Sequence, residues 1–178
     1  MSKMSRRIVV DASVAKSAGN GTHPTSRMCR EFLLDMMNIC HKIVISQEIL
    51  TEWKNHASFF SVSWLAAMRG KRKVLMVHPE AGGSYVISVH EASKFTPKEI
   101  VAMEKDLLLI LAALETDRLI ASCDSTARDL FARASSQIYD IKNIIWVNPN
   151  DATSDCGDWL KSGARHESER CLGEQAGT

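Results

Sequence analysis

The sequence carries almost no net charge: 22 lysines and arginines stand against 21 aspartates and glutamates, a formal balance of +1. Total charge therefore does not announce a nucleic-acid binder, and any basic surface must be local. Paired cysteines are missing too. The five cysteines, Cys29, Cys40, Cys123, Cys156 and Cys171, are odd in number and contain no CxxC, which argues against a disulfide framework and against a zinc site. Long apolar runs are also lacking. The run near the amino terminus, Ile8-Val9-Val10, is too short for a signal-peptide core, and no segment is long enough to cross a bilayer. The expectation is a soluble cytoplasmic protein with no membrane partner.

Several sequence motifs are incomplete. Gly19-Asn20-Gly21 begins a dinucleotide-binding turn, but Pro24 replaces its third glycine. Gly70-Lys71-Arg72 lacks the hydroxyl residue and upstream glycine of a phosphate-binding P-loop. Glu52 and His56 are one helical turn apart, without the second histidine of a zinc protease. Ser13 stands where a haloacid dehalogenase-type phosphatase has its second acid.

What is present is alternation. The chain has 178 residues and is 45% hydrophobic, enough for one domain with a sizeable core. Short β-branched runs at 7–10, 42–46, 118–122 and 143–147 read as buried strands. Between them lie helical patterns. Met28, Phe32, Leu33, Met36 and Ile39 share one face, and Thr25 or Ser26 can cap that helix. Ser46 can cap a second, with Ile49, Leu50 and Trp53 inward, and 58–70 forms a third. Residues 73–77 and 85–89 suggest a small hairpin. Thr96-Pro97-Lys98-Glu99 is a capping box opening a stripe of Ile100, Met103, Leu107, Leu111 and Leu114. Asp106 lies on its flank, and either one helix or two breaking near Lys105-Asp106 fits the pattern.

These signs predict a three-layer α/β/α domain over residues 1–155, with a central parallel sheet of four to five strands. GDWLKSG is read as one last helical turn in a polar 156–178 tail, which is expected to be mostly disordered.

In such sheets, sites form beyond the carboxyl ends of the strands. Asp11 follows the first strand, Glu48 and Glu52 lie in the helix after the second, Asp106 in the helix feeding the third, and Asp124 follows that strand. Taken singly, each has an ordinary reading as a helix cap, a dipole partner or a solvated flank. Taken together, crowded carboxylates raise one another's pKa unless a cation lies among them. An all-oxygen set suits Mg²⁺ or Mn²⁺, ions that activate water and hold phosphoryl oxygens. The densest basic run, Arg69, Lys71, Arg72 and Lys73, is either a solvated loop or a clamp for RNA phosphates, with His56 a further candidate phosphate contact.

The segments VVDAS, ISQEILTEW, KDLLLILAALETDRLIASCDS and IIWVNP, in that order, resemble the PIN-domain ribonucleases, including VapC-type toxins. The resemblance covers roughly residues 7–150. It implies a five-stranded parallel sheet and a Mg²⁺/Mn²⁺ site that cleaves RNA. Asp11, Glu52, Asp106 and Asp124 match the family's acidic residues, with Asp106 expected to open its helix. Ser13 and Ser122 match small hydroxyl residues near the metal, with Glu48 beside them. Three departures are visible: residues 54–100 carry more material than a minimal toxin needs, Lys16 stands where the family usually has an apolar residue, and the stretch Ser125 to Arg128 lacks a further acid many members carry. Toxin-type relatives are held by a small antitoxin protein and are often dimers, so both partners are implied. Two function classes stay open: a metal-dependent endoribonuclease, and a catalytically inactive PIN-like module that binds RNA or protein.

Overall fold

Continuous runs of branched apolar residues suit strands buried on both faces, and here they line up in parallel. The computed structural model describes residues 5–80 and 94–175. In it β1 spans Arg7–Val10, β2 Lys42–Ile45, β3 Val74–Met76, β4 Leu119–Ala121 and β5 Ile145–Val147. They form one five-stranded sheet in the order β3-β2-β1-β4-β5, with every neighbouring pair parallel.

Around it lie α1 (Ala12–Ser17), α2 (Pro24–Asn38), α3 (Gln47–His56), α4 (Phe59–Gly70), α5 (Pro97–Leu114) and α6 (Ser125–Ala134). Two short helices follow, α7 (Cys156–Lys161) and α8 (Leu172–Gln175). Right-handed crossovers put the helices before β3 on one face and α5 and α6 on the other. Accordingly α1 packs on α2 and α3, while α5 packs on α6. The fold is the expected three-layer α/β/α arrangement.

The core follows the strands. Ile8, Ile43, Ile45 and Ile120 are fully buried. At about 1.5–3 kcal/mol per buried aliphatic side chain, these residues dominate the sheet's stability. The expected caps operate at two helices, where Ser46 accepts from the Ile49 amide and Thr96 and Glu99 close both arms of the capping box; at α4, Ser58 is a further cap, accepting from the Ser61 amide.

Other expectations need correction. The 18–26 loop does not end in a Thr25 or Ser26 cap. His23 is the N-cap, its ring accepting from the Thr25 amide, and Pro24 takes the first helical position, where its missing N–H costs nothing. Residues 73–77 supply an edge strand, Val74–Met76, that pairs in parallel with β2; the other half of the expected hairpin, 85–89, lies outside the described residues. α5 is one unbroken helix, so Asp106 sits in its interior instead of opening it.

The segment after residue 155, expected as a disordered tail, folds onto the domain through residue 175. Trp159, Leu160, Cys171 and Leu172 are buried, and α7 packs on α2 while α8 packs on α6. The Leu172 amide donates to the Ile144 carbonyl at 2.9 Å and the Gly173 amide to that of Lys142 at 3.0 Å. Cys171 also forms an antiparallel bridge with Ile145. Gly173 is required for this approach, since a Cβ there would lie 2.3 Å from Cγ of Lys142.

Candidate functional site

The strand order reverses between β1 and β4, and the carboxyl ends of these neighbours open a crevice of the kind in which α/β sheets bind ligands. Asp11 leaves β1 there, its amide bonded to the Ala121 carbonyl of β4 at 2.9 Å. Although Asp11 is the N-cap of α1, its side chain caps nothing. Instead its Oδ2 accepts from Ser13 Oγ and from Ser122 Oγ at 2.8 Å. Ser122 is fully buried. It also accepts from the Asp124 amide at 3.0 Å, and Ser13 accepts from the Cys123 amide at 3.0 Å. The two serines lie 3.3 Å apart. Two hydroxyls thus lock the end of β1 to the end of β4.

Asp124 behaves differently. Its Oδ1 accepts from the Ala127 amide at 2.9 Å, a true helix cap. Glu52 is brought to the crevice by α3, which Trp53 fastens to β1 through an Nε1 bond of 2.9 Å to the Val10 carbonyl. The Glu52 carboxylate is exposed and pairs with His56 Nε2 at 3.4 Å.

Asp11, Glu52, Asp106 and Asp124 line one cavity of about 510 Å³, together with Lys105 and an apolar wall of Ala12, Ile49, Leu108 and Leu109. Half-buried Asp106 senses the other three. Its pKa is pushed up to about 7, chiefly by burial, then by the charges of Asp11 and Asp124 and, less, Glu52; Lys105 opposes the rise. Mutual repulsion expected from the sequence is therefore present, and Asp106 is where it concentrates.

The remaining candidates divide. Ser13 and Ser122 join the site through Asp11. Glu48 does not line the cavity. Its carboxyl is held below the usual range by its own backbone amide and by Ser46, so it complements the start of α3. The basic run is not brought to the crevice at all. Arg69 is in the last turn of α4, Lys71 caps that helix, and Arg72 turns the chain in the left-handed region at φ 56°. Lys73 precedes β3 at the amino end of the strands, opposite the carboxylates, and its Nζ donates to the α2 carbonyl of Met37 at 2.8 Å and to that of Ile39. Among the described residues, the cations that do line the crevice are Lys105 and, in an adjoining cleft with Asp11, Ser13, Glu52 and His56, Lys16. Sequence reasoning missed Lys105, since nothing local distinguishes it from a solvated helical lysine.

The donor set is all oxygen, which fits Mg²⁺ or Mn²⁺. Among the described residues, no three His, Cys, Asp or Glu side chains are gathered closely enough to form a finished cage. Glu52 is turned to His56 and Asp124 is half committed to its helix, so binding would require both to adjust.

The chain matches no family model and no curated protein.

Proposed function

We propose that this chain is a metal-dependent endoribonuclease of the PIN type. The observation that carries the reading is the convergence of four carboxylates, borne on different segments, on one cavity at the switch point of a parallel sheet. Acids that destabilise one another in this way are retained where a cation is to be held. Asp11, Glu52, Asp106 and Asp124 would hold Mg²⁺ or Mn²⁺. Bound there, the ion supplies an activated water near neutral pH and offsets charge on the phosphate oxygens.

The chain's own residues do the rest. Ser13 and Ser122 hold the Asp11 carboxylate through Oδ2 and so limit its search over rotamers. Asp106 must lose its proton to act as a ligand, so occupancy strengthens as pH rises toward about 7. Lys105 and Lys16 reduce the repulsion an acidic crevice exerts on a polyanion. Hydrolysis of the phosphodiester backbone does not depend on the identity of the base, so selectivity would be set elsewhere on the surface. A cytoplasmic toxin role, an antitoxin partner and a homodimer belong to the same reading.

One observation favours a second reading, a PIN-like module that binds RNA or protein without cleaving: the ligands are not pre-gathered. A Mn²⁺ titration followed by electron paramagnetic resonance, with RNA cleavage assayed in parallel, separates the two. The nuclease reading expects Mn²⁺ binding, metal-dependent cleavage and loss of both in Asp11→Asn. RNA binding with no Mn²⁺ uptake would leave the binding module.

A further inference from the structure

Cys29 and Cys123 lie on different elements, 94 residues apart in sequence, yet their sulfurs are 3.5 Å apart. That is van der Waals contact between two thiols, and both are free. Cys29 is fully buried on α2, while Cys123 is partly exposed beside the carboxylate cavity. The pair plays no part in the proposed hydrolysis. Cys29 packs in the core, and its Sγ also donates to Asn150 Oδ1 at 3.0 Å, a bond that a serine in its place could keep. What distinguishes the pair is reach: a disulfide needs the sulfurs at about 2.05 Å, a closure of roughly 1.5 Å.

We propose that Cys29 and Cys123 are an oxidant-modification site, forming a reversible disulfide with hydrogen peroxide, and that the bridge disturbs the Asp11–Asp124 end of the crevice. The accessible sulfur reacts first. Cys123 attacks one peroxide oxygen, the O–O bond breaks, and one water leaves with the thiol proton, giving a sulfenic acid. Cys29 then attacks that sulfur and gives up its proton, and the S–O bond breaks as a second water departs. In sum, two thiols and one peroxide give one disulfide and two waters. Two electrons pass from the sulfurs to the peroxide oxygens.

The coupling to the site is covalent and short. Cys123 lies between Ser122, which holds Asp11, and Asp124, and its own amide donates to Ser13 at 3.0 Å. Drawing its side chain toward α2 strains these bonds. Other thiols are differently placed. Cys156 touches Ser154 Oγ at 2.9 Å and Cys171 touches His166 Nε2 at 3.3 Å, so neither offers its sulfur to Cys123.

Formation of the bridge does not depend on the nuclease reading; its effect on the site does. The intact protein is treated with hydrogen peroxide, alkylated and digested without reductant, and Mn²⁺ affinity is measured before, after, and after re-reduction. The expected result is a Cys29–Cys123 linked peptide, two hydrogens lighter than the separate thiols, with Mn²⁺ affinity lowered at least tenfold and restored by dithiothreitol. Cys29→Ala and Cys29→Ser, each checked for folding by thermal melting, should keep Mn²⁺ affinity and lose its peroxide sensitivity. Cys29 paired with Cys156, or Cys123 oxidised only to its sulfonic acid, overturns the modification site. A bridge that leaves Mn²⁺ affinity unchanged overturns the coupling. If the reduced protein binds no Mn²⁺, the nuclease reading fails with the coupling, and the linked peptide alone decides the modification site.

Discussion

Ser122 and Asp11 meet across the two central strands, the serine Oγ donating to Asp11 Oδ2 at 2.8 Å. Ser13 donates to the same oxygen, so the hydroxyls act as a unit. Each single change to alanine should lower stability by about 1 kcal/mol, the usual net worth of such a bond. Because they share a partner and touch each other, the double variant should cost measurably less than the sum. Urea unfolding of the four proteins checks this. Strict additivity would mean that the hydroxyls do not cooperate.

Asp106 sets a pH dependence of folding. Its pKa is raised to about 7 in the native state, against roughly 4 in an unfolded chain. Between those values the folded protein holds more protons than the unfolded one, so stability should fall as pH rises from about 4 to about 7 and level off above. Melting in the presence of chelator, from pH 5 to 8, should show this slope. In Asp106→Asn the slope should shrink and the melting temperature at pH 8 should rise. An unchanged profile would mean that Asp106 is not the proton holder.

Asp11 and Asp124 separate by their second jobs. Asp11 caps no helix, so Asp11→Asn should hold or raise stability while abolishing Mn²⁺ binding. Asp124 caps α6; Asp124→Asn preserves that bond, whereas Asp124→Ala should cost about 1 kcal/mol as well. A loss of stability in Asp11→Asn as large as that in Asp124→Ala would contradict the structural difference between them.

Glu52 and Glu48 lie one turn apart but face different tasks. Glu52→Gln should nearly eliminate RNA cleavage. Glu48→Gln should leave turnover close to normal and slightly destabilise α3, whose amino end it complements. Single-turnover kinetics on a labelled RNA decides, and the reverse order would relocate the site.

The salt dependence of RNA binding should follow the cations of the crevice. Replacing Lys71 and Arg72 by alanine should leave the slope of log affinity against log salt unchanged, because they lie at the far edge of the sheet. Lys105→Ala and Lys16→Ala together should flatten it by about 1.4, or about 0.7 per lost phosphate contact on a single strand. A flattening in the Lys71–Arg72 variant would return the basic run to the binding surface.

The sequence reveals most where a signal is local. Strands of three or four branched residues, and the caps Ser46 and Thr96, are written within a few positions of where they act. Asp11 and Asp124 could be placed because alternation implies parallel strands, and parallel strands share one carboxyl end. The basic run was harder to place, since its distance from the acids depends on which end of β3 it adjoins. The family resemblance puts Asp106 at a helix start, and the residue pattern alone leaves one helix or two open; in the folded chain Lys105 and Asp106 line the cavity from a continuous helix. α1 gives no signal, as six residues make fewer than two turns and display no periodicity. The tail was misjudged on composition, since Trp159, Leu160, Cys171 and Leu172 are few but all buried.

That returning tail has a consequence for the chain's behaviour in a crowd. β5 ends the sheet, and an outermost strand offers unpaired amides and carbonyls to any passing chain. Residues 171–173 occupy this margin, with Cys171 bridging Ile145 and the next two amides bonding to Ile144 and Lys142. The contact is brief and antiparallel, so it closes the edge without inviting another strand to continue the sheet. A chain cut after Asp155 would uncover both Ile144 and the apolar surface beneath Trp159 and Leu160. Its characteristic failure would be intermolecular strand pairing and precipitation, even with the carboxylate crevice intact.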